Sequence, residues 1–226
     1  MSTVLVIGAS RGIGLEFVRQ YCAAGARVIA SARDDAGLAR LRELGAQALK
    51  VDVSQPASVS GLAWQLDGEQ IDIALYVAGV VSRAGADTPP TQEEFDHVLH
   101  TNVLGAMQTI PQVAPRVEAA SQGRGGKFAF ISSGMAQIGA VNSSASWTYR
   151  VSKAALNMAV ASAQHDYPRT IMVALSPGWV RTDMGGDGAP MAVEDSVSAM
   201  RRTIDSLTDA HKGAFLQLDG QRFASW

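Results

Sequence analysis

The sequence predicts an α/β fold: one doubly wound domain spanning residues 1–226, with a seven-stranded parallel sheet and helices on both faces. Three observations predict it. Seven apolar, β-rich runs recur along the chain, mostly separated by segments of helical spacing and length. Runs such as VLVI at 4–7 and IMVAL at 171–175 are hydrophobic throughout, which suits strands covered on two faces. No repeat, low-complexity tract or shift in composition interrupts the 226 residues, and a chain of that length can bury one full core.

In order, the predicted strands are 4–7, 27–31, 46–51, 71–77, 127–132, 170–175 and 214–218. The Gly/Ser-rich stretches 121–126, 139–146 and 185–188 fall between them and read as loops. After the first strand comes Gly8-Ala9-Ser10-Arg11-Gly12-Ile13-Gly14, then a helix with Leu15, Val18 and Cys22 at apolar positions. Glycines spaced in this way let the chain turn tightly and bring backbone N–H groups against a pyrophosphate, which the positive end of the next helix also attracts. At the first strand-to-helix turn of an alternating β/α chain, the motif indicates a Rossmann-type dinucleotide site.

The end of the second strand discriminates between dinucleotides. An acid there suits the ribose diol of NAD, and a cation suits the 2'-phosphate of NADP. Here the strand ends Ala30-Ser31-Ala32 and Arg33 follows, with Arg11 in the glycine turn as a second cation. Arginine's planar fork matches phosphate oxygens. The residues point to NADP(H), while Asp34 or Asp35, about 20 residues beyond the turn, leaves NAD(H) open.

The charge pattern narrows the partner. A net charge of -2 with both signs interspersed offers no footprint for nucleic acid or an anionic membrane. No apolar stretch approaches bilayer length, and the N-terminus enters a strand-like run without a basic region or cleavage site. A cytoplasmic protein acting on a small molecule is expected. Cys22, the single cysteine, reads as a small hydrophobe on a helix. His97, His100, His165 and His211 lack partners at metal-ligand spacing, so no metal site is expected.

Tyr149 and Lys153 stand four apart at the start of a long helical segment, which places them on one face. A tyrosine has a pKa of about 10 and is a poor base near neutrality. An ammonium roughly 4 Å away, at an effective dielectric near 20, would favour the phenolate by about 4 kcal/mol, on the order of three pKa units. Desolvation opposes this, so a smaller net lowering is expected.

With these residues in view, the chain resembles the short-chain dehydrogenase/reductase family over nearly its whole length. The resemblance rests on the glycine turn, Asp52-Val53, Ala78-Gly79, Asn102, Ser132-Ser133, the run from Tyr149 to Lys153, and Pro177-Gly178-Trp-Val-Arg-Thr182. It implies that Tyr149 exchanges a proton with a carbonyl or alcohol oxygen and that Ser133 donates a hydrogen bond to that oxygen. Ser132 is the rival, but the family pattern puts the reacting hydroxyl on the second serine. Lys153 would tune Tyr149 and hold the nicotinamide ribose, and Asn102 would anchor a water leading to solvent. Gly8, Ser10, Arg11, Gly12, Ile13, Gly14, Arg33, Asp52, Val53, Ala78 and Gly79 would line the cofactor with Tyr149 and Lys153. Pro177, Gly178, Val180 and Thr182 would pass beneath the nicotinamide. The implied activity is NADPH-dependent reduction of a small aldehyde or ketone, or oxidation of the alcohol. The alternative is a nucleotide-binding signalling or regulatory protein of the same fold.

Ile7 and Val77 replace the threonine and asparagine usual in the family, and both read as altered packing. With them a monomer or homodimer is expected in place of a tetramer. The stretch after Thr182, Gly185-Gly186-Asp187-Gly188, is short, so a small lid and an open site are expected. Gln137, Ile138, Val141, Trp147, Trp179 and Met184 are candidate substrate walls. The small lid, combined with Tyr149-Arg-Val-Ser-Lys-Ala-Ala-Leu-Asn157 and the terminal stretch from Asp219-Gly220 to Trp226, resembles the compact carbonyl-reductase and C-factor-like branch, some of whose members are linked to developmental signalling.

Overall fold

A computed structural model of the chain describes residues 1–123 and 125–226. The loop expected at 121–126 thus lies partly outside the described residues. The strands are β1 (Thr3–Ile7), β2 (Arg27–Ala32), β3 (Gln47–Lys50), β4 (Ile73–Tyr76), β5 (Lys127–Ile131), β6 (Ile171–Ser176) and β7 (Ala214–Gln217). Each lies within an expected run or overlaps it, with shifts confined to the ends. The expected fourth strand contracts at its start, where Ile71 N–H donates to the Arg116 carbonyl outside the ladder, and its last pair joins Tyr76 to Ile7.

One sheet forms in the order β3-β2-β1-β4-β5-β6-β7, and every pairing is parallel. The chain winds outward from β1 to β3, then crosses back to lay β4 on the other side of β1. That reversal opens a crevice at the carboxyl ends of β1 and β4, where open α/β sheets bind ligands.

Alternation along β1 sends side chains to both faces. Val4 and Val6 pack with Phe17, Leu38 and Met200, under the helices Gly12–Ala23, Asp35–Glu43 and Val193–Ser206. Leu5 and Ile7 pack with Leu62, Ile110 and Leu156, under Leu62–Gln65, Gly105–Glu118 and Trp147–Ala163. Fully burying one such Leu, Ile or Phe is worth about 1.5–3 kcal/mol, so both faces anchor the sheet. A smaller cluster joins Ala136, Ala174 and Phe215 to Phe223 in the C-terminal tail.

The two departures from the family pattern are accommodated by the backbone. Ile7 is fully buried, and its carbonyl accepts N–H groups from Val77 at 2.8 Å and Ala78 at 3.1 Å. β1 and the segment after β4 are therefore tied without the polar side chains. Among the described residues, no helix is long and apolar enough to cross a membrane.

Candidate active site

At the end of β1, Gly8 takes φ +87°, and a Cβ there would lie 2.6 Å from the backbone of Ala78. A Cβ on Gly14 would lie 2.3 Å from the Gly8 carbonyl oxygen. Only glycine permits these approaches. Among the described residues, no side chain caps the start of the Gly12–Ala23 helix, and its first turn carries no acid. Its leading N–H groups remain available to an anion, which the helix dipole also favours. The cradle therefore suits a dinucleotide pyrophosphate.

One cleft is lined by Gly8, Ser10, Arg11, Gly12, Ile13, Gly14, Arg33, Asp52, Val53, Ala78, Gly79, Tyr149, Lys153, Pro177 and Thr182. Of the expected site residues, Asn102, Ser133, Gly178 and Val180 stand outside that lining. Asp52 is turned onto its own loop, where its carboxylate accepts from the Ser54 N–H and hydroxyl.

Beyond β2 the charged residues divide. Asp34 caps the Asp35–Glu43 helix by accepting from Gly37 N–H at 2.7 Å, and Asp35 pairs with Lys50 at 3.0 Å. Arg33 is exposed at the cleft. Arg11, the other expected phosphate cation, pairs with Asp183 at 2.9 Å. Arg40 was not legible as a site neighbour, yet its Nε donates to the Ser10 carbonyl at 3.1 Å.

The helix Trp147–Ala163 buries both Tyr149 and Lys153. Lys153 Nζ donates to the Ile131 carbonyl at 2.8 Å and lies 5.7 Å from the centroid of the Tyr149 ring. Burial pushes the lysine down to about 8. It also pushes Tyr149 above its ordinary value, and a hydrogen bond with Ser133 opposes that rise. This corrects the expected lowering: among the protein's own groups, desolvation of the phenol outweighs the hydrogen bond with Ser133.

The serine pair is divided by geometry. Ser132 Oγ donates to Asn157 Oδ1 at 2.6 Å, in a buried pair. Ser133 Oγ accepts from Met135 N–H at 3.1 Å, which leaves its own proton free to donate toward Tyr149.

Asn102 lies in the π-turn His100–Leu104 and is fully buried. Its Oδ1 accepts from Val80 N–H at 2.8 Å, and its Nδ2 donates to the Val80 carbonyl and Ser152 Oγ, each at 2.9 Å. Ser152 in turn donates to the Tyr149 carbonyl at 2.7 Å. The Asn102 amide thus clamps the strand end to the helix, and any water it anchors must meet its backbone. Sequence reading missed Ser152 and Asn157 as functional residues; their signal was their spacing, three from Tyr149 and four from Lys153 respectively, which puts each on the inward side of that helix.

After β6, Gly178 turns at φ +79°, and Thr182 comes within 3.5 Å of where a Gly12 Cβ would stand. Thr182 Oγ1 accepts from Gly185 N–H at 3.1 Å. The following segment is short, as expected, but it is not loose. Arg83 donates to the Met184 carbonyl at 2.8 Å and Arg11 holds Asp183, so a strap is fastened from both sides across the cleft.

Comparison with known proteins places this architecture. The family description "short chain dehydrogenase" matches residues 2–191. The 1-hydroxy-2-glutathionyl-2-methyl-3-butene dehydrogenase of Rhodococcus sp. (strain AD45) is 31% identical over 243 aligned positions, covering 100% of both chains. The C-signal protein of Myxococcus xanthus is 34% identical over 152 positions, covering 66% of this chain and 90% of that protein. Among solved structures, the NADPH-bound carbonyl reductase from chicken fatty liver superposes with a TM-score of 0.89 at 29% identity, covering 100% of this chain and 99% of its own. With a family match across most of its length and a parallel sheet wound about the same crevice, the chain belongs to the short-chain dehydrogenase/reductase family of oxidoreductases.

Proposed function

We propose that the chain reduces a small aldehyde or ketone with NADPH, or oxidises the corresponding alcohol, within one domain. The observation that carries this reading is the meeting of Tyr149, Lys153 and Ser133 beside an uncapped helix N-terminus and its glycine cradle. A nicotinamide held in the cleft supplies the hydride. Tyr149 gives its proton to the carbonyl oxygen, and Ser133 donates a hydrogen bond to that oxygen as charge develops. Lys153 favours the phenolate that remains and holds the cofactor ribose. Asn102 keeps Val80 and the helix in register, and its backbone anchors the water through which Lys153 recovers a proton.

Arg33 supports NADPH over NADH, since Asp34 is spent as a helix cap and Asp35 is paired with Lys50. The NADPH held by the carbonyl reductase neighbour agrees with this. The likeness to a protein named C-signal favours a second reading, a nucleotide-binding signalling protein.

One experiment separates them. A panel of aldehydes and ketones is screened for NADPH oxidation, with NADH compared and Tyr149→Phe alongside. Turnover is expected, and it should fall by roughly 10²–10⁴-fold in the variant. Tight nucleotide binding without turnover of any carbonyl would favour the signalling reading. A lower KM for NADH than for NADPH would overturn the cofactor assignment.

A further inference from the structure

We propose that Asn157 is a positioning residue for this reaction, holding the Ser132 hydroxyl so that the end of β5 presents Ser133 to Tyr149. The inference rests on the reductase reading.

Tyr149, Lys153 and Asn157 follow one another at intervals of four along the Trp147–Ala163 helix, which stacks them in a single column. All three are buried. Each grips one of three successive residues where β5 ends. Tyr149 is hydrogen-bonded with Ser133, Lys153 Nζ donates to the Ile131 carbonyl at 2.8 Å, and Asn157 Oδ1 accepts the Ser132 hydroxyl at 2.6 Å. Ser132 is further tied to β6, its N–H donating to the Leu175 carbonyl at 2.8 Å. Ser133 continues in extended backbone, with φ -159° and ψ 146°. A rotation at Ser132 therefore turns Ser133 with it.

The chemistry of Asn157 separates this role from ordinary packing. Its Nδ2 is buried with no hydrogen-bond partner among the described residues, and leaving such a group unpaired works against stability. Leu156 and Val160 show that the same buried surface of the helix accommodates aliphatic side chains. An asparagine is the poorer choice for packing at this position, and what it alone contributes is the oxygen that Ser132 needs.

The test uses Ser132→Ala, Asn157→Leu and the double variant in the full chain. Each single change is expected to lower kcat roughly 10- to 100-fold, the scale of a small misplacement at a reacting centre, with KM for NADPH unchanged. The double variant should be no worse than the worse single one, because both remove the same bond. Ser132→Ala removes one oxygen atom and carries the test if Asn157→Leu does not fold. A second readout needs no substrate. The Tyr149 step in a tyrosinate absorbance titration, identified by its loss in Tyr149→Phe, should move to higher pH as the Ser133 bond slackens. An unmoved step in Ser132→Ala, or losses that multiply in the double variant, would overturn the proposal. Failure of the reductase reading looks different: wild-type protein turns over no carbonyl, while the titration still reports on Asn157.

Discussion

Lys153 carries its charge against the environment around it. The ammonium is fully enclosed, has the Ile131 carbonyl as its acceptor, and titrates near 8 in place of 10.5. A base whose folded pKa is depressed binds fewer protons folded than unfolded between those values, so stability rises with pH through that window and is lower beneath it. At 1.36 kcal/mol per pKa unit, the penalty below pH 8 is roughly 3 kcal/mol. Lys153→Met removes it and gives up one hydrogen bond, worth about 1 kcal/mol. The variant should be about 2 kcal/mol more stable than wild type in urea unfolding at pH 7, and it should lack the wild-type rise toward pH 10. A variant less stable at both pH values would refute this account. The i, i+4 pairing of Tyr149 with Lys153 was legible in the sequence. The direction in which their pKa values move was not, because it follows from how completely the helix buries them.

At the scale of elements, the glycine turn is where strand and helix meet most closely. A methyl on Gly14 would press on Gly8 O and on the Ala9 Cα at 2.9 Å, and it can be relieved only by moving the Gly12–Ala23 helix away from β1. Gly14→Ala is expected to lose about 1–3 kcal/mol of stability through overpacking and to abolish the quenching or enhancement of NADPH fluorescence on binding. Unchanged NADPH affinity would show that the cradle does not hold the dinucleotide. The turn was readable from spacing alone, and so were the seven strands, because continuous apolar runs and glycine punctuation are local. The π-turn around Asn102 was not readable. It depends on Tyr76 reaching the Thr101 carbonyl at 2.8 Å, with Asn102 spanning to Val80 and Ser152. The strap behaves likewise, since Arg11 and Asp183 are 172 residues apart.

Over the whole molecule, one sheet carries a core on each face, and Phe130 belongs to the one beneath the Trp147–Ala163 helix. Its ring stacks on Phe128 at 4.2 Å and on Tyr76 at 6.0 Å between centroids. Phe130→Ala should cost about 3–5 kcal/mol. The loss should lower one cooperative unfolding transition, with tryptophan fluorescence and far-UV circular dichroism coinciding. Separated transitions would divide the chain into two units and overturn the single-domain proposal. By itself the sequence determined the fold class, the strand runs, the glycine turn and the Tyr149–Lys153 pair, since each is written in the spacing of neighbours. Tertiary structure alone decided which serine keeps a proton to donate toward Tyr149, that Asp35 is paired with Lys50, and how far burial shifts Lys153. Those outcomes depend on partners distant in sequence and on exclusion of water, and neither exists until the sheet and its helices close.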